Sequence, residues 1–411
     1  VAKFDPAVLP PSFYDETPLL DLIRRKANHV IASPDAVLLT CLARVSAAFR
    51  PAVKIAHHES PLSLFVAIVG PPGAGKSKAA TAARALLSSV GIDVDGIPVP
   101  SGEGMWELFL SAPESGTGKR NVVNQTGFFY VDEGLRLMKV GRREGSTTLD
   151  AFREVWTLGG GGTANADKDR RRMIPAGSLQ VGLVVGFQPD AALELFRGPE
   201  VGDPQRFVFT SAVWPYLDNV IPRDVPALTW EPSNRPRSLT VPREIVDHVE
   251  RYQLRATKGE VEPDPLETHD LWNQLRVAAA LTLFHNADAD EVAAADWIRA
   301  AQIIAVSAEN RRRLVEYAKA KADEKQDEHD RRRIVTNAKV TQARDDDKRA
   351  KECANLVAAF VRTNSPATWS DIHNGPGRKY RDVLKAAVAL AVERGDIHEV
   401  AAERGRLFET S

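Results

Sequence analysis

Two runs in the sequence carry side chains suited to phosphate chemistry. The first is Gly70-Pro71-Pro72-Gly73-Ala74-Gly75-Lys76-Ser77, with Lys78 directly after it. A triphosphate is a dense cluster of negative charge, so a loop that holds it must turn its N–H groups inward with no bulky side chain in the way. Gly70, Gly73 and Gly75 supply that freedom. Lys76 carries the charge to neutralise β- and γ-phosphates, and Ser77 has the hydroxyl to complete a magnesium shell. A helix opening at Lys76 would aim its positive end at the same phosphates. The second run, Phe128-Phe129-Tyr130-Val131-Asp132-Glu133, delivers two adjacent carboxylates. Asp132 suits a metal held through water, and Glu133 suits the polarisation of an attacking water. ATP and Mg2+ are the expected ligands. The bland readings are a glycine turn without a ligand and an acidic surface turn.

Other residues suit supporting roles. Glu103, in Ser101-Gly102-Glu103-Gly104, is a rival base ranked behind Glu133. Gln188 closes an apolar run and suits a polar sensor of the γ-phosphate or the water, or else a helix-entry residue before Pro189. Arg206, in Asp203-Pro204-Gln205-Arg206-Phe207, suits an arginine finger reaching a neighbouring subunit's nucleotide, or a structural salt bridge. After Gly159-Gly160-Gly161-Gly162 comes a basic cluster of Lys168, Arg170, Arg171 and Arg172 around Asp169. The glycines predict a mobile loop, and its cations suit DNA phosphates or plain solvent. Near the end, Arg378, Lys379 and Arg381 are expected to open a helix entering a major groove, with Arg404 and Arg406 flanking a wing.

The elements that must position these residues follow from apolar patterning. Buried-type strands are expected at 52–56, 62–69, 128–131, 179–187 and 207–213, interleaved with helices, which predicts a parallel sheet covered on both faces. The expected organisation is a helical lead-in at 1–51, a nucleotide-binding core at 52–235, a helical lid at 236–318, a charged linker or solvated helix at 319–348 and a winged helix at 349–411. The expected fold class is α/β, a P-loop NTPase of the AAA+/RecA-like kind.

At 411 residues the chain exceeds the length at which single cores stop growing, which fits several units. A hydrophobic share of 43% and a charged share of 27% exclude disordered and fibrous classes. Net charge is −1, so only its distribution bears on nucleic acid. Cys41 and Cys353 are far apart and lack metal-ligand neighbours, which argues against a zinc site or a disulfide framework. No run approaches eighteen apolar residues and no secretion pattern opens the chain, so no membrane partner and a cytoplasmic location are expected.

Together, Leu64-Phe65-Val66-Ala67-Ile68-Val69-Gly70, Tyr130-Val131-Asp132-Glu133, Gly186-Phe187-Gln188-Pro189, Gln205-Arg206-Phe207, Leu275-Arg276-Val277-Ala278-Ala279-Ala280-Leu281 and Asp296-Trp297 carry a resemblance. They resemble the ATPase domain of phage and mobile-element primase-helicases, over residues 52–313. The resemblance implies a hexameric, DNA-stimulated ATPase with single-stranded DNA in its channel. It also implies a primase-polymerase domain upstream, which would suit a chain that starts at Val1. The charged segment and the winged helix stand outside it. Two rivals remain: an initiator or regulator that binds duplex DNA without unwinding it, and a small-molecule kinase.

Overall fold

Thr17 accepts a hydrogen bond from the Leu20 amide and Pro18 takes the first helical position, so α1 (Pro18–Val30) starts where the sequence offers a cap. In α2 (Pro34–Ala48) every residue is buried, which makes it a central helix with no solvent face. The computed structural model describes residues 3–196, 203–218, 221, 225–262, 264–401 and 405–411, and the chain divides into two units, 1–320 and 321–411.

β1 (Val53–Ile55) departs from expectation. It pairs in parallel with β9 (Arg237–Leu239) in a separate two-stranded sheet and not as a strand of the central one. Its burial alternates, as suits a sheet edge. The central sheet comprises β2 (Phe65–Val69), β3 (Val94–Asp95), β4 (Thr126–Val131), β7 (Gln180–Phe187) and β8 (Phe207–Ser211). Its spatial order is β3-β4-β7-β2-β8, with every neighbouring pair parallel. β2, β7 and β8 are buried along their whole length, as their unbroken apolar runs require.

Side chains alternate between the two faces. Val66 and Ile68 join a core with α1, α2 and α3 (Lys76–Leu86). Phe65, Ala67 and Val69 join the opposite core with α4 (Gly102–Glu107), α5 (Gly134–Gly141) and α6 (Thr148–Leu158). The connection after β2 thus lies on one face and those after β4 and β7 on the other. The reversal falls between β2 and β7, where open parallel sheets form a ligand crevice at their carboxyl ends.

Between β4 and β7 the chain also forms an antiparallel hairpin, β5 (Gly161–Thr163) with β6 (Arg172–Ile174). α7 (Pro189–Ala192) and α8 (Asp203–Arg206) follow β7. α9 (Arg243–Thr257) is largely exposed, whereas α10 (Asp270–His285) is buried from Leu275 to Phe284. α11 (Ala294–Thr363) runs for 70 residues, so the charged segment at 319–348 is helical and not an irregular linker. Local pairs explain this. Gln326 with Asp330, Glu328 with Arg332, Gln342 with Asp346 and Asp347 with Lys351 are all four residues apart. Among the described residues no single helix is long and apolar enough to cross a membrane.

The second unit packs the end of α11 against β10 (Ala367–Thr368), α12 (Trp369–Asn374), α13 (Leu384–Glu393), β11 (Ile397–Val400) and β12 (Leu407–Thr410). Its three strands lie in the order β10-β12-β11, antiparallel. Thr368 and Asp371 cap α12 reciprocally. The helix expected from about Arg378 instead begins at Leu384, preceded by a 3-10 turn over Pro376–Lys379.

One buried acid ties the first residues of the chain to α2. Asp35 accepts hydrogen bonds from the Leu9 amide at 2.9 Å and from the Tyr14 hydroxyl at 2.6 Å. Burial pushes its carboxyl up from 3.8 to about 7, with the two hydrogen bonds opposing. The folded state therefore holds this proton more tightly than the unfolded chain. Its contribution to stability is full below the unfolded value and is lost as pH rises through about 7. Thermal melts from pH 5 to 8 are expected to show falling stability, with a shallower fall in Asp35→Asn. Equal slopes in the two proteins would contradict this.

Candidate functional site

The loop after β2 is fixed by close approaches. The Gly70 amide donates to the Phe187 carbonyl at 3.0 Å, which ties the loop to the end of β7. A Cβ on Gly70 would lie 2.6 Å from the Ala212 side chain. Gly73 and Gly75 have φ of +77° and +86°, a conformation that disfavours other residues. Gly75 caps α3 with no side-chain acceptor, so the opening amides of the helix are left for an anion.

Lys76 Nζ donates to the carbonyls of Gly70 and Pro71, both at 2.9 Å. Burial lowers its pKa, against the raising effect of the Asp132 charge. At the end of β4, Asp132 Oδ1 accepts from Ser77 Oγ at 2.8 Å and from Tyr130 Oη at 2.9 Å. Burial and the bond to Asp132 raise the Tyr130 pKa well above the usual phenol value. Glu133 occupies the cap position of α5 and is exposed. The adjoining Gly134 is required, because a Cβ there would lie 2.2 Å from the Phe187 ring.

These residues enclose a cavity of about 550 Å3. Pro72 to Ser77 form its floor, Asp132 to Leu135 one wall, and Gly186, Gln188, Asp190, Ala191 and Glu194 the other. Gly186 gives room, since a Cβ there would lie 2.8 Å from the Asp132 carbonyl. Gly70, Pro71 and Lys78 lie outside the lining: Gly70 and Pro71 supply carbonyls to Lys76, and Lys78 is exposed one residue beyond. Asp190 accepts a hydrogen bond from the Tyr317 hydroxyl of α11 at 2.9 Å. Ser77 and Asp132 together offer hard oxygens of the kind Mg2+ takes. Among the described residues no group of three or more His, Cys, Asp or Glu could hold a metal by itself. A cation here would take the rest of its shell from phosphate oxygens and water.

Glu103 is not brought to the cavity. It lies in the first turn of α4 and faces Arg172 at 3.4 Å. Arg206 also stands apart, at the amino end of β8 with its guanidinium 5.4 Å from the Trp156 ring centre. Burial lowers its pKa. The five residues of β8 separate it by about 16 Å from the carboxyl edge where the cavity opens, too far to reach into that cavity of its own chain.

The glycine run is packed and not a free loop. Gly159 ends α6 with φ +62°, and a Cβ on Gly160 or Gly162 would strike the Pro175 or Arg172 carbonyl. Lys168, Arg170 and Arg171 are exposed at the hairpin tip. Arg172, expected among the DNA contacts, is instead tied to Glu107 at 2.6 Å. Arg120, with help from Arg172, holds the Glu107 carboxyl down to about 2. The base of the hairpin meets β7 at its amino end, so it lies at the edge of the sheet opposite the cavity, about 25 Å away along β7.

In the second unit Arg378 and Lys379 belong to the 3-10 turn and Arg381 to the turn before α13, all exposed. They precede the helix they were expected to open. The exposed face of α13 comprises Lys385, Ala386, Ala389, Val392 and Glu393, poor in groups that read base edges. Arg406 pairs with Glu399 across the terminal hairpin at 2.6 and 2.7 Å. Arg404 lies outside the described residues.

Tyr130, Asp190 and Glu194 were missed as site residues. The spacing of Tyr130 from Asp132 carries the signal for it, because residues i and i+2 of a strand share a face. No protein-family model matches the chain, and no curated protein matches it.

Proposed function

We propose that the chain is a P-loop nucleoside triphosphatase with an AAA+/RecA-like core, which assembles as a hexameric ring and acts as a DNA-stimulated replicative helicase of a phage or mobile element. The observation that carries the nucleotide reading is the meeting of Lys76, Ser77 and Asp132 at the carboxyl edge, with the serine and aspartate oxygens 2.8 Å apart. The loop amides bind the phosphate oxygens, and Lys76 gives up its two loop carbonyls to neutralise them. Ser77 and Asp132 would hold a Mg2+ ion there, and its positive charge would offset that of the phosphates. Glu133 orients a water and takes its proton as the water oxygen bonds to the γ-phosphorus and the bridging P–O bond breaks. Gln188, in the opposite wall, contacts the γ-phosphate or that water.

Arg206 acts only in trans on this reading, because the sheet separates it from its own cavity. Lys168, Arg170 and Arg171 meet single-stranded DNA phosphates in the ring channel. The second unit has the element order of a winged helix, and its contact with DNA, through Arg378, Lys379 and Arg381, is to the backbone and not to base edges.

The test is ATP turnover with and without single-stranded DNA, run beside a mass measurement. Stimulation by DNA together with a sixfold mass is expected, and Arg206→Ala subunits mixed into wild type should depress activity beyond their share. A monomer whose turnover ignores DNA would defeat the helicase reading. Displacement of a strand from a forked duplex separates it from the initiator.

A further inference from the structure

We propose that Tyr130 is a positioning residue for Asp132: its hydroxyl fixes which oxygen of that carboxylate is presented to a metal. The inference rests on reading the cavity as a magnesium–triphosphate site. Tyr130 and Asp132 leave the end of β4 on the same side of the chain. Tyr130 Oη and Ser77 Oγ both donate to Oδ1, at 2.9 and 2.8 Å. Two donors fill that oxygen, and among the described residues no hydrogen bond reaches Oδ2. The carboxylate cannot exchange its oxygens without breaking both bonds, so Oδ2 stays available to the metal's water shell.

The two hydroxyls differ in what else they can do. Ser77 lines the phosphate cavity, so its oxygen can keep its proton on Asp132 and offer a lone pair to the cation. Tyr130 does not line that cavity. It borders a neighbouring one of about 410 Å3 on the other side of Asp132 and Glu133, with Pro98, Val99 and Arg136. Tyr130 thus approaches Asp132 from behind, as an outer partner that orients a ligand without touching the metal. Its ring packs against the core that holds α2 and α3, which limits the directions the hydroxyl can take. A phenylalanine would keep that packing and lose the hold on Asp132.

Tyr130→Phe in the full chain tests this through binding, with no turnover needed. A fluorescent, non-hydrolysable ATP analogue is titrated at increasing Mg2+ and, separately, in EDTA, with thermal melting without nucleotide as the check on folding. The Mg2+ concentration for half-maximal tight binding is expected to rise about tenfold, as for loss of an outer-shell partner. Affinity in EDTA is expected to stay at the wild-type value. An unchanged Mg2+ midpoint, or equal weakening with and without Mg2+, overturns the role of Tyr130. Wild type without Mg2+-dependent binding, or Lys76→Ala that binds as wild type does, overturns the cavity reading itself. A destabilised Tyr130→Phe is still read by the ratio of its two affinities at a temperature below its melt.

Discussion

Lys76→Ala is expected to lower triphosphate hydrolysis by about 10²–10³-fold or more, the range seen when one group that stabilises transition-state charge is deleted. Lys76 is the one cation among the described residues lining the cavity, against the carboxylates of Asp132, Glu133, Asp190 and Glu194. A triphosphate entering without the ammonium would meet repulsion from those carboxylates, so binding weakens as well as turnover. The fold should survive. Among the described residues Lys76 bonds to carbonyls of its own loop alone, and the neighbouring sheet is held by strand pairing and two apolar cores. Steady-state hydrolysis beside a thermal melt checks this. Parental turnover in a folded Lys76→Ala protein would remove the phosphate site.

Glu133→Gln is expected to retain nucleotide affinity and lose about 10²–10⁴-fold in hydrolysis, the usual worth of a positioned general base. The carboxylate is exposed, lines the cavity and makes no hydrogen bond to other described residues, so the amide disturbs nothing else. Glu103→Gln is the comparison. Glu103 is engaged with Arg172 outside the cavity lining, so its loss should leave hydrolysis near the parental rate. Reversal of the two outcomes would move the base to α4 and imply that the segment carrying Glu103 rearranges when nucleotide binds.

Legibility in the sequence followed the range of the interactions involved. β2, β4, β7 and β8 could be read because strands buried on both faces leave unbroken apolar runs, and a glycine loop between strand and helix keeps its local spacing. The partner of β1 could not be read. It is β9, almost two hundred residues away in a proline-rich stretch without periodicity. Arg172 looked like its basic neighbours until Glu107 was brought beside it by the packing of α4 on the hairpin. The glycines at 159–162 suggested mobility, but they answer to backbones that approach too closely for a Cβ. The charged segment in α11 offered no apolar stripe, and only pairs at four-residue spacing marked it as a helix. The start of α13 was placed too early because Arg378 to Arg381 has helix-forming composition, while Pro376 and Gly377 favour a tighter turn.

The most direct measurement is a structure of the protein soaked with Mg2+ and a non-hydrolysable triphosphate. Phosphate oxygens should lie within hydrogen-bond reach of the Gly73 to Ser77 amides and Lys76 Nζ, with the cation beside the Ser77 hydroxyl and on the Oδ2 side of Asp132, and with Glu133 facing the γ-phosphate. Nucleotide bound elsewhere, or an empty cavity at saturating ligand, would contradict the account.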